Sequence, residues 1–135
     1  MNNQEIFNKV KDIIVDVLVI DEDKVQPTSR LIVDLGAESI DFLDLVFQLE
    51  KEFAIKIPRG QLEKNARGEL TEAEFEQNGV LTEKGLVALK SYLVEVPQEY
   101  FKASMKTSEI PMLFTVETFC KLVDAALKAK AEATA

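Results

Sequence analysis

The residues of this 135-residue chain whose types and spacing could do chemistry lie in one short run, Asp34-Leu35-Gly36-Ala37-Glu38-Ser39-Ile40-Asp41. Gly36 permits a tight turn without the penalty of a Cβ. Leu35 and Ile40 read as apolar anchors on either side of that turn, holding Ser39 at the exposed start of a helix. Ser39 itself reads as the N-cap, its oxygen accepting a free backbone N–H of the first turn. A phosphodiester on that hydroxyl would sit where unsatisfied N–H groups and the helix dipole favour an anion. The chemistry implied is covalent modification of a presented serine, with the added charge tolerated.

The rest of the composition narrows the field by exclusion. The sequence holds no histidine and one cysteine, Cys120. Ser-His-Asp and Cys-His nucleophile arrangements are therefore absent, and nearly every zinc ligand set with them. Cys120 lies on an apolar helical stripe and is expected to be a buried core thiol. The Glu pairs between residues 59 and 114 lack the spacing of a calcium loop and read as solvated charge. The chain is expected not to be an enzyme. A net charge of −8 argues against nucleic acid, whose phosphates need Lys and Arg clusters, and against an anionic membrane surface. It favours partners with basic patches. A lone cysteine fits a reducing cytoplasm. The start, Met1-Asn2-Asn3-Gln4-Glu5, lacks the basic-then-apolar pattern of a secretory signal, and no segment is expected to insert into a membrane.

The elements that must position Ser39 are helical. Ile6, Val10, Ile13, Ile14 and Val17 mark one face of a helix over Asn3 to Ile20. A long ordered loop follows over Asp21 to Glu38, pinned by Val25, Leu31, Ile32 and Leu35. A second helix is predicted from Ser39 to about Phe53, with Asp41 and Asp44 near its dipole-favoured start. Its apolar set, Ile40, Leu43, Val46, Phe47, Leu49 and Phe53, is wider than one stripe, so the helix is expected to be central. Residues 59 to 114 differ: they hold Gly60, Gly68, Gly79 and Gly85, with Pro97 and Pro111. Thr71-Glu72-Ala73-Glu74 matches a capping box, with Gly79 expected to end the short helix it starts. Thr82 is expected to cap another helix carrying Leu86, Leu89 and Leu93, and a brief helical piece is expected around Gln98 to Ala103. A last helix is expected from Thr115 to about Lys130, with a frayed tail. No strand is predicted.

Leu35-Gly36-Ala37-Glu38-Ser39-Ile40 resembles the Asp-Ser-Leu attachment motif of acyl carrier proteins. The first helix, the loop, the second helix through Glu50-Lys51-Glu52-Phe53, and Ile55-Lys56-Ile57-Pro58 follow that family's order and lengths. Thr115-Val116-Glu117-Thr118-Phe119 resembles the opening of its final helix. The resemblance implies an all-α fold, an acyl-carrier-like helical bundle with an enlarged helical insert before the last helix. It implies one domain over 1–135, with a carrier-like core at 3–58 and 114–128 and the insert at 59–113. It further implies a 4′-phosphopantetheine arm on Ser39, placed there from coenzyme A by a phosphopantetheinyl transferase, and an acyl thioester on the arm's thiol. Glu38, Asp41, Asp44 and Glu50 match acidic positions by which family carriers dock on basic patches of acyl synthases, synthetases and acyltransferases. Val46, Leu49, Ile57 and Phe119 are candidates to line an acyl-sheltering interior. The chain is expected to act as a monomer.

Two substitutions depart from the motif conservatively, Glu38 for Asp and Ile40 for Leu. Phe42 stands where an exposed side chain is expected, although Phe42 and Phe47 read better as packing than as recognition. The enlarged 59–113 region makes the chain similar to specialised carriers of lipid A acylation in lipopolysaccharide synthesis. The function implied is acyl carriage for fatty acid or lipid A biosynthesis. The alternatives are a peptidyl or aminoacyl carrier of secondary metabolism, and an unmodified binding module with a carrier-like fold.

Overall fold

A computed structural model describes residues 2–58 and 61–134 of the chain. It divides into two compact units, one formed by residues 1–58 and 114–135, the other by 59–113. Arg59 and Gly60, counted above with the second region, lie outside the described residues, as does Met1 of the start.

The first unit is a bundle of three long helices. Helix α1 spans Asn3–Leu18; the Asn2 side chain caps it, accepting the Glu5 N–H at 2.9 Å. Ile6, Val10 and Ile14 fall at helical spacing and are buried. The helix ends earlier than Ile20 because Val19 adopts a left-handed conformation, φ 53°. A single 3₁₀ turn at Glu22–Lys24 opens the loop, in which Val25 and Leu31 are buried. Helix α2 spans Ser39–Phe53 and buries Leu45, Leu49 and Phe53. Helix α6, Val116–Thr134, buries Val116, Phe119, Leu122 and Val123. It runs beyond Lys130, because the Ala-rich tail has high intrinsic helix propensity. Each of the three helices packs on the other two. Thr115 and Thr118 brace the start of α6 reciprocally: each backbone N–H donates to the other's hydroxyl at 3.1 Å, and both residues are buried.

The second unit holds α3 (Gln61–Arg67), α4 (Glu72–Phe75) and α5 (Glu83–Tyr92). Leu62, Phe75, Leu81, Leu89 and Leu93 are among its buried apolar residues. Thr71 and Glu74 form the capping box at the start of α4, and Thr82 caps α5 by accepting the Gly85 N–H at 2.9 Å. The expectation of no strand is corrected here. Strands β1 (Glu76–Gln77) and β2 (Val80–Leu81) pair antiparallel, with Glu76 opposite Leu81 and Gln77 opposite Val80. Gly79 therefore does not end a helix. With Asn78 it makes a two-residue hairpin turn, both with positive φ (53° and 79°), as a primed turn demands. The hairpin is braced further on: Leu81 N–H donates to the Met105 carbonyl at 2.8 Å, and Thr107 N–H to that of Gly79 at 2.9 Å. The helical piece expected at Gln98 to Ala103 is a single 3₁₀ turn, Gln98–Tyr100; a longer 3₁₀ stretch spans Thr107–Leu113.

The secondary structure is predominantly helical, with the short helices and the hairpin of the second unit falling between α2 and α6 in the chain. Among the described residues no helix is long and apolar enough to cross a membrane.

Candidate functional site

The loop before α2 is built to deliver one residue to the surface. Leu31 is wholly buried, its N–H donating to the Phe114 carbonyl at 3.0 Å. The Ala37 N–H returns to the Leu31 carbonyl at 2.9 Å, closing a compact turn between them. The Asp34 carboxylate accepts the Arg30 backbone N–H at 2.8 Å, and Arg30 Nε lies 3.6 Å from it. Gly36 sits at φ +75°, and its N–H donates to the Ile32 carbonyl at 3.1 Å. A Cβ there would touch nothing within 4 Å, so the requirement for glycine is conformational and not steric. Ala37, 4% exposed, is the apolar anchor beside Ser39. Ile40 is not: it is 69% exposed, because α2 turns it away from the core.

Ser39 is exposed and is the first residue of α2, not its N-cap. Glu38 holds the cap position, and the Asp41 carboxylate closes the terminus by accepting the Glu38 N–H at 2.8 Å. Glu38 and Asp41 form the capping box, so the cap role expected of Ser39 lies one residue earlier and the Ser39 hydroxyl has no part in it. That hydroxyl stands at the N-terminus of a helix, the setting in which an anion is best accommodated.

The four acidic candidates divide by their duties. Glu38 and Asp44 are exposed. Asp41 is half-buried and committed to the helix start. Glu50 is committed at the other end of α2, where its carboxylate accepts the Ile57 N–H at 2.7 Å. That bond ties down the chain after the left-handed residue Ala54 (φ 52°), whose carbonyl accepts from Lys130 Nζ at 2.8 Å.

Of the apolar candidates, Leu49, Ile57 and Phe119 are buried and Val46 is half-buried. Phe42 is not exposed as expected: α6 covers part of it. Its ring stacks on Phe119, centroids 5.8 Å apart and planes 14° apart, and meets Phe114 edge-on at 6.4 Å. Phe47 is the reverse case, 56% exposed rather than packed, with Lys51 Nζ 5.4 Å from its ring centre. Ile40, Leu43 and Phe47 thus form an exposed apolar stripe at spacings of three and four. The wide apolar set of α2 reflects two faces, one buried and one exposed, and not a fully enclosed helix. Cys120 is half-buried rather than a fully enclosed core thiol, and burial, with the Glu117 carboxylate adding to it, pushes its thiol up to about 12.

Residues 8–71 match the family described as the phosphopantetheine attachment site, a span that includes Ser39. An acyl carrier protein of Picosynechococcus sp. is 53% identical over 62 residues, covering 46% of this chain and 76% of that protein. The chain belongs to the acyl carrier protein family. A Thermotoga maritima acyl carrier protein is 48% identical over 63 residues, covering 47% of this chain and 78% of the relative. The acyl carrier protein AcpXL of Rhizobium meliloti is 53% identical over 55 residues, 41% of this chain and 58% of its own length. Acyl carrier proteins hold 4′-phosphopantetheine covalently, and they interact with phosphopantetheinyl transferases and acyl-handling enzymes. The surroundings of Ser39 fit such a group: the hydroxyl is exposed and has no part in the capping bond, and a helix start faces the phosphate it would carry.

Proposed function

We propose that Ser39 is the residue that carries the 4′-phosphopantetheine arm, and that the protein shuttles acyl groups in fatty acid or lipid A biosynthesis. The observation that carries this reading is the exposed Ser39 at the first position of α2, with the capping box made by Glu38 and Asp41. In the loading reaction the Ser39 Oγ attacks the phosphorus of coenzyme A that bears the pantetheine. The phosphoanhydride bond breaks, adenosine 3′,5′-bisphosphate leaves, and the serine proton passes to a base of the transferase. The arm, when bound, supplies a thiol that holds acyl groups as thioesters. This chain's residues present the serine, accommodate its phosphate and dock partners, and take no catalytic part.

Glu38 and Asp44 are the acidic docking residues best placed for basic patches of a transferase, synthase or acyltransferase, since both are exposed. Ile40, Leu43 and Phe47 lie on the same helix and supply the apolar centre that a specific interface needs. Asp41 and Glu50 contribute by holding the ends of α2. Residues 59–113 read as an insert in one carrier domain, and the protein acts as a cytoplasmic monomer. The relatives are acyl carrier proteins by name, which supports an acyl cargo against an aminoacyl one.

Purified protein incubated with coenzyme A and a phosphopantetheinyl transferase should gain the mass of one arm, and Ser39→Ala should gain none. Modification that persists on Ser39→Ala would overturn the assignment.

A further inference from the structure

We infer that Phe42 sets the shortest acyl chain that the carrier bundle shelters, by closing the way between α2 and α6 beside Ser39. The inference rests on the reading that Ser39 bears the arm.

Ser39 and Phe42 are three residues apart on α2, so their side chains are neighbours on one helix face. Phe42 is the half-buried member of a closed triangle of rings. Phe114 and Phe119, its partners, are buried at 6% and 2% exposure and meet each other edge-on at 6.2 Å. Phe42 covers this pair from the solvent side, face to face with Phe119 and edge to Phe114. Beyond it α2 leads to the buried Leu45 and Leu49. A hydrocarbon chain that folds back from Ser39 between α2 and α6 must first lift the Phe42 ring off Phe119.

Lifting that ring breaks two of the three pairs. Each aromatic pair is worth about as much as one or two buried methylene groups. A chain therefore has to bury roughly two to four methylenes beyond the ring before entry is favourable. Shorter chains stay outside and leave the bundle as it is. Longer chains displace Phe42 and take its place against Phe114 and Phe119. Phe42 acts here as a positioning and length-selecting residue, with no part in forming or breaking the thioester.

The test uses the full chain, loaded on Ser39 with a series of saturated acyl groups from short to long. The load is verified by mass on each sample, and a failure to load at Ser39 would count against the attachment reading itself. The midpoint of thermal unfolding is then measured against chain length. The native protein should show no gain for short chains and a rise beyond a break point. Phe42→Ala should move the break about two to four methylenes shorter. Phe42→Leu keeps apolar bulk without the ring pairing; it should move the break the same way and guards against a loss of folding in the alanine variant. In the native protein a ¹³C-labelled terminal methyl should shift upfield, from the ring currents of Phe114 and Phe119, only for chains longer than the break. A native profile without a break, or an unchanged break in the folded Phe42 variants, would overturn the proposal.

Discussion

Replacing Gly85 by alanine sets local helix propensity directly against packing. Gly85 lies in the first turn of α5 with an ordinary helical backbone, so propensity alone predicts that alanine stabilises by about 1 kcal/mol. The structure predicts the reverse. A Cβ at this position would lie 1.9 Å from the Phe75 carbonyl oxygen and 2.9 Å from its carbon. The obstacle is backbone, and it is held in place. That carbonyl accepts the Thr82 N–H at 3.0 Å and the Thr82 hydroxyl at 3.3 Å, and the Thr82 hydroxyl also donates to the Glu74 carbonyl. Moving it means separating α4 from α5 and disturbing the caps of both. Overpacking of this kind costs typically 1–3 kcal/mol, and a fixed backbone neighbour places it near the upper end. Less the propensity gain, the net loss is about 2 kcal/mol. For a small unit this lowers the unfolding midpoint by roughly 4–8 °C per kcal/mol. Thermal unfolding followed by circular dichroism measures it. Amide hydrogen exchange should place the loosened bonds in residues 61–113 and leave α1, α2 and α6 protected. A Gly85→Ala protein as stable as the parent, or more so, would refute the close approach on which this rests.

Val19 is β-branched, 86% exposed and left-handed, so it carries strain that no contact repays; Val19→Gly should stabilise by up to about 1 kcal/mol, read as a higher urea midpoint. Glu74 and Glu109 are both held below the ordinary 4.5, Glu74 first by the Thr71 N–H and Glu109 first by Lys102. Their stabilisation is therefore complete above pH 4.5 and lost as pH falls through their folded values. Glu74→Gln/Glu109→Gln should flatten the loss of stability in acid relative to the parent, measured by urea titrations below pH 5. Cys120, raised from 9.0 to about 12, stays a thiol at neutral pH. Iodoacetamide should label it far more slowly in the folded protein than in urea, while labelling the arm thiol of the loaded carrier at once. The same shift should erode stability as pH rises from about 9 toward 12, because there the unfolded state releases a proton that the folded state keeps.

The parts of the fold that repeat at helical spacing were legible in the sequence. Ile6, Val10 and Ile14 fix the buried face of α1, because a 3.6-residue period is enough to aim them; for α2 the same period found Leu49 and Phe53 but passed over the buried Leu45, because the exposed Ile40, Leu43 and Phe47 blur the stripe. The caps at Thr71 and Thr82 were also legible, since the side chain that caps is adjacent to the N–H it satisfies. The β1–β2 hairpin was missed although Asn78-Gly79 is a strong turn signal; strands of two residues leave no alternation to detect. The span of α2, Ser39 to Phe53, was legible, but its cap was misassigned by one residue because serine is a favoured cap, whereas here Glu38 holds that position in a capping box with Asp41. Glu50 was read only as a docking residue; its bond to the Ile57 N–H was not legible, since it depends on the left-handed turn at Ala54. Phe42 needed the third helix: its place on α2 suggests solvent, and only Phe119 of α6 shows what covers it.

The most direct measurement is the location of the modified atom. Protein treated with coenzyme A and a transferase, digested and fragmented in a mass spectrometer, should carry phosphopantetheine on Ser39 alone. A group found instead on Ser29, Ser91, Ser104 or Ser108, or on none of them, would contradict the account.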